Sequence, residues 1–148
     1  MRLFNILKNL ANSPYVEKWL TVTRTENNYV TQTAMNRIIA IKFGNLLVVE
    51  FNLEVTSNMP TGTGWIYIGQ IDITGYKLNY DIMATVPAQS TAGTLLVQIQ
   101  TDGTIRIYNS STATIVGFCR ANFAMPLTKL GGVVRRLLNA CSVRGWAY

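Results

Sequence analysis

Seven carboxylates and no histidine set the limits on what this chain can do chemically. Without an imidazole there is no Ser-His or Cys-His nucleophile arrangement, no His-containing metal site and no general base of the commonest kind. The acids are Glu17, Glu26, Glu50, Glu54, Asp72, Asp81 and Asp102. Cleaving a glycosidic bond takes two carboxyl groups about 5–9.5 Å apart. Glu50 and Glu54 fall on one face of a strand, and four residues of strand span about 13 Å, so that pair is too wide. Asp102 precedes a glycine and reads as a turn residue. Asp72 and Asp81 remain, and a small carbohydrate-active enzyme would need them to converge in a cleft. Cys119 and Cys141 have no metal-ligand spacing and are too few for a disulfide scaffold, so they read as free thiols. Gly62-Thr63-Gly64 followed by Gly69 lacks the Lys-Ser/Thr ending of a phosphate loop and reads as a turn into a strand. The expectation is a chain that binds rather than catalyses, with no metal and no cofactor.

Charge narrows the partners. The formal net charge is +6, but Lys129, Arg135, Arg136 and Arg144 lie in the last twenty residues, where there is no acid, leaving +2 for residues 1–128. A nucleic-acid binder places Lys and Arg along a face of the fold itself, so nucleic acid is not an expected partner. No run approaches 18 apolar residues, and Asn5, Lys8 and Asn9 break any signal-peptide core. Hydrophobic residues make up 49% and charged residues 14%, which supplies a core but little charged surface. Such a surface is covered by Thr, Ser, Asn, Gln and Gly, or by another subunit.

The elements that must position these residues fall in three parts. Leu3, Leu7 and Leu10 recur at helical spacing, so residues 1–18 read as a short helix or stalk ended near Ser13-Pro14. Residues 19–128 change to period two. Ile39, Ile41 and Phe43, then Leu47, Val49, Phe51, Leu53 and Val55, put the odd positions on one buried face. Trp65, Tyr67, Ile71 and Ile73 continue that parity and read as core. Leu95, Val97 and Ile99 enter Thr101-Asp102-Gly103, followed by Ile105 and Ile107, and a last strand covers roughly 115–125. A three-residue loop at 101–103 pairs Ile99 with Ile105 and keeps one face apolar, with Gly103 left-handed. The same parity asks for an odd-length loop at 43–45, with Gly44 or Asn45 left-handed. Residues 129–148 form a basic tail, where Leu130, Val134, Leu137, Leu138 and Cys141 have helical spacing. The fold class expected is all-β: an antiparallel β-sandwich or jelly-roll-like head with a short N-terminal helix and a possible C-terminal helix.

Three stretches carry a resemblance: Arg37 to Phe51, which runs through a Gly-Asn turn, Gly64-Trp65-Ile66-Tyr67-Ile68-Gly69, and the Leu96 to Ile107 hairpin with its Asp-Gly turn. Together they resemble the C-terminal receptor-binding head domains of bacteriophage tail-fibre and baseplate proteins, over about residues 20–128. The resemblance implies a homotrimer in a virion tail. Its partners would be other virion tail proteins and a host surface glycan or protein, with no shared catalytic residues. A structural virion protein of the same fold but without a receptor site is the other non-catalytic reading.

A surface saccharide is held by flat aromatic faces with amides and carboxylates on its hydroxyls. Tyr76 and Tyr80 flank the least periodic stretch of the body, beside Asp81, where loop residues concentrate. Tyr108 lies on the polar parity of its strand, with Arg106 two residues away on the same face. Tyr76, Tyr80, Asp81, Arg106 and Tyr108 are therefore the candidate ligand-binding residues, with packing against a neighbouring subunit as the alternative role for the tyrosines.

Overall fold

The computed structural model describes residues 17–31 and 38–131. The helix expected over 3–11 and nearly all of the basic tail, with Cys141, lie outside the described residues. Within them the chain is all-β. The strands are β1 (Glu17–Leu20), β2 (Val22–Arg24), β3 (Ile39–Phe43), β4 (Leu46–Met59), β5 (Ile66–Ile71), β6 (Tyr76–Leu78), β7 (Ile82–Pro87), β8 (Thr94–Ile99), β9 (Thr104–Asn109) and β10 (Ile115–Lys129). They form two five-stranded sheets, ordered β1-β3-β4-β10-β6 and β2-β5-β9-β8-β7, with every pairing antiparallel. At Thr21 the chain passes from the first sheet to the second, held by the Asp72 N–H donating to the Thr21 carbonyl at 2.8 Å. A bridge between Ala88 and Cys119 ties the end of β7 to β10, so the two sheets also meet there.

The odd residues of β4 from Leu47 to Val55 point inward, as expected, and meet Ile68, Ile71, Leu95, Val97, Ile99, Ile105 and Ile107 of the second sheet. Burying one such side chain stabilises by roughly 1.5–3 kcal/mol, so this shared layer is what holds the sheets together. Phe51 meets Phe123 edge to face at 6.3 Å. The one fully buried side-chain amide on β9 is satisfied. Asn109 Nδ2 donates to the Met59 and Ala113 carbonyls, and Oδ1 accepts from Ser111.

Register follows the sequence in one hairpin and departs from it in two places. Ile99 pairs with Ile105, Val97 with Ile107 and Gln98 with Arg106, around the three-residue loop expected. Gly103 has φ 91° and donates its N–H to the Gln100 carbonyl. At 43–45 the expected odd loop is wrong. Phe43 pairs with Leu46, leaving the two-residue turn Gly44-Asn45 with Gly44 at φ 62°. A two-residue loop reverses parity, so on β3 it is Ala40 that is buried, while Ile41 and Phe43 face outward.

The second departure is in β5. Trp65 and Tyr67 were expected in the core and are 37% and 42% exposed. Tyr67 pairs with Arg106 but Gly69 pairs with Ile105, so one extra residue is inserted between them. That bulge moves the inward set from Ile66 and Ile68 to Ile71, and leaves Trp65 and Tyr67 on the outer face.

Candidate functional site

The outer face of the second sheet carries the residues of interest. Strand alternation puts Ile105, Ile107 and Asn109 inside and turns Arg106 and Tyr108 outward. The register sets Met83, Gln98, Arg106 and Tyr67 in one row across β7, β8, β9 and β5. In the neighbouring row Thr85, Leu96 and Tyr108 are aligned. The Trp65 ring lies 5.7 Å from that of Tyr108, tilted by 43°, and the Arg106 guanidinium carbon sits 4.4 Å from the centre of the Trp65 ring.

A directed chain of hydrogen bonds holds this arrangement. Arg106 Nε donates to Gln98 Oε1. Gln98 Nε2 then donates to Asp81 Oδ2 at 3.3 Å, and the Thr101 N–H donates to Asp81 Oδ1 at 2.9 Å. Each partner fixes the next. The Asp81 carboxylate can only accept, so it turns the Gln98 amide nitrogen toward itself and the Gln98 oxygen toward Arg106. The guanidinium is thereby held over the Trp65 ring. Its terminal nitrogens have no partner among the described residues, so they remain available as donors.

Three of the five candidate residues, Asp81, Arg106 and Tyr108, are thus joined in one network. Tyr80 stands 57% exposed immediately before Asp81. Tyr76 is elsewhere: it lies on β6 at the end of the sandwich, with Lys42 Nζ 4.7 Å over its ring. The network also contains Trp65 and Gln98, with Tyr67 beside Arg106 in the strand register; none of the three was a candidate. The Ile68-Gly69 step was the one signal for the two aromatics, because a glycine inside a strand pattern marks a bulge or a close backbone approach. Gln98 was legible as the partner of Arg106, but nothing in the sequence tied it to Asp81.

Tyr76 lines a shallow cleft of about 600 Å³ between the Thr21 crossing, the 72–75 turn and the 101–103 turn. Its mouth carries Asp72 and Asp102. The Thr74 hydroxyl and N–H donate to Asp72 Oδ1 and hold that carboxyl below its ordinary range. The Thr104 N–H does the same for Asp102 at 2.9 Å. Asp81 is not among the residues of this cleft, so Asp72 and Asp81 do not make the shared cleft that a hydrolase would need. No group of three or more His, Cys, Asp or Glu side chains that could hold a metal ion occurs among the described residues.

The architecture, two antiparallel five-stranded sheets with no helix among the described residues, is similar in fold to a phage receptor-binding head domain. One solved structure it resembles is the head domain of phage bIL170, described among the receptor-binding domains of lactococcal phages. The TM-score is 0.56 at 14% sequence identity, over 76% of this chain and 100% of that one. At that identity the likeness is one of fold. No family model matches the chain, and no curated protein matches it either.

Proposed function

We propose that this domain is the non-catalytic head of a phage tail or baseplate protein, and that it binds a host surface saccharide on the outer face of the second sheet. The observation that carries the reading is the Trp65–Arg106–Tyr108 cluster, pinned by Gln98 and Asp81. It offers a flat aromatic surface for sugar C–H groups, with guanidinium, hydroxyl and carboxylate groups beside it for sugar hydroxyls. Aromatic residues and arginine are the residue types that dominate binding energy at recognition surfaces. The likeness to a receptor-binding head supports the same reading at the level of fold. A hydrolytic alternative lacks the expected Asp72–Asp81 pair, and in the cleft Asp72 and Asp102 each commit one carboxylate oxygen to their own turns; a purely structural virion role would have to use the exposed aromatics as a subunit contact.

The same reading makes the head one subunit of a homotrimer fixed to other virion tail proteins. What supports self-association is the outer face of the first sheet. Trp19, Ile41, Val48 and Ala124 line up in one row, with Phe43, Leu46 and Pro126 in the next, which Glu17 ends at the β1 edge. Trp19 is 63% exposed. The occupant that fits this face is a second copy of the chain.

The test is saturable binding of the purified protein to host cells and to polysaccharide extracted from them. Trp65→Ala and Arg106→Ala are expected to weaken binding by about 30-fold each, the size of a hot-spot truncation near 2 kcal/mol. Tyr76→Ala, Tyr80→Ala and Tyr108→Ala complete the set, with Tyr108 expected to matter most of the three. Binding that is saturable but unchanged in Trp65→Ala and Arg106→Ala would move the site off this face. Absence of saturable binding by the unmodified protein would leave the structural virion role standing.

A further inference from the structure

We infer that the ligand is a linear oligosaccharide, and that a second of its sugar units, a neutral one, occupies the cleft beside Tyr76. This rests on the saccharide reading above. Asp81 is the link. One carboxylate oxygen holds Gln98, and through it Arg106 on the aromatic face. The other accepts the N–H of Thr101, which is itself a wall of the cleft. Aromatic face and cleft are therefore two ends of one polar track. Tyr108 and Thr104 are four residues apart on β9, about 13 Å at the rise of a strand, with Asp102 in the turn beyond, and that is longer than a single sugar ring can bridge.

The cleft has the makings of a subsite of its own. Its volume of about 600 Å³ falls within the range of small-molecule sites. Tyr76 supplies a ring held in place by Lys42. Thr21, Thr23 and Thr74 bring hydroxyls, and Gln70 is fixed by donating its amide to the Asp102 carbonyl at 3.4 Å. Asp72 and Asp102 each use Oδ1 for their own turns, which leaves Oδ2 of each as an acceptor for a sugar hydroxyl. The two carboxylates at the mouth are balanced by Lys77 in the cleft wall and by Lys18 and Lys42 beside Asp72 and Tyr76, so neither sign of charge is favoured and a neutral unit suits the cleft.

The experiment is a length series. Polysaccharide from the host surface is partly hydrolysed, and fragments of one, two, three and more sugar units are titrated calorimetrically against the full chain. For the unmodified protein the affinity is expected to rise at least tenfold from the single unit to the longer fragments. Tyr76→Ala and Asp72→Asn should lose that gain while keeping the single-unit affinity. Tyr76→Phe keeps the ring and should keep the gain within about threefold, which separates a lost stack from a damaged fold. Trp65→Ala should weaken every fragment alike. If the cleft variants bind long fragments as the unmodified protein does while Trp65→Ala fails, the site ends at Asp81 and the second subsite is wrong. A flat length series in the unmodified protein overturns it too. If no fragment binds the unmodified protein, the saccharide reading itself has failed, and the subsite goes with it.

Discussion

Gln98 shows how much a single side chain decides. It is 6% exposed, and both ends of its amide are engaged, one by Arg106 and one by Asp81. A buried amide with both ends satisfied costs little, and it removes the freedom that an arginine on an open sheet would otherwise have. The sequence placed Gln98 opposite Arg106 by parity. It did not reveal Asp81 as the third member, because that contact crosses a turn. Cys119 is the opposite case: the sequence marked it only as one of two free thiols, and the structure buries it. The thiol is fully enclosed, and burial pushes its pKa up to about 11 from 9.0. The raised group favours the folded state below pH 9, where both states keep the proton. Above that pH the unfolded chain releases its proton and the folded one does not, so stability falls as pH rises toward about 11. Denaturant unfolding at several pH values should therefore show a steeper decline between pH 9 and 11 in the unmodified protein than in Cys119→Ala. Equal slopes would show that the thiol titrates freely.

Among the strands, parity governs what could be read. It was right wherever each strand kept its alternation, as in β4 and the β8–β9 hairpin. It failed where a turn or a bulge reversed it, since a one-residue slip sends every later side chain to the other face. That is why Ile41 and Phe43 moved outward, and why the two aromatics now at the centre of the candidate site were expected in the core. The bulge in β5 has its own requirement. A Cβ on Gly69 would lie 2.2 Å from the Thr23 carbonyl oxygen, closer than atoms can approach, so β2 can seat against β5 only over a glycine. Gly69→Ala should destabilise the fold by about 1–3 kcal/mol, the usual cost of an overpacked site. The damage should be local. Thr25 donates its N–H to Ile68 and Asp72 to Thr21 across this junction, so those two amides should exchange with solvent much faster in the variant. Unaltered exchange at both would show that β2 shifts to accommodate the methyl group without loosening.

For the whole molecule, the question is what each outer face is for. The outer face of the second sheet mixes aromatic and hydrogen-bonding groups and suits a ligand surrounded by water. The outer face of the first sheet is different along its β1-β3-β4-β10 end, where one row is apolar and the next is apolar except for Glu17 on β1. Trp19, Phe43 and Leu46 are 63%, 37% and 40% exposed there. A large aromatic side chain contributes about 150–250 Å² when buried, and a stable interface takes about 800 Å² from each partner. Two aromatics with their apolar neighbours can form the centre of such an interface, and leaving them in water would be costly for a chain with only 14% charged residues. The composition left open a covering subunit without saying which face it would cover; the proposed face is the one that β1, β3, β4 and β10 line. The expectation of three copies comes from the resemblance to phage head domains, and that of association comes from the face itself. Light scattering of the full chain at micromolar concentration should give three times the chain mass of 16.5 kDa. Trp19→Asp and Phe43→Asp place a charge in the middle of that face and should release folded monomers. Trp65→Asp, on the other sheet, should leave the mass unchanged. A monomer from the unmodified protein would remove self-association from the account. An oligomer that Trp65→Asp breaks and Trp19→Asp does not would exchange the roles of the two sheets, making the aromatic cluster the interface and the apolar rows the free surface.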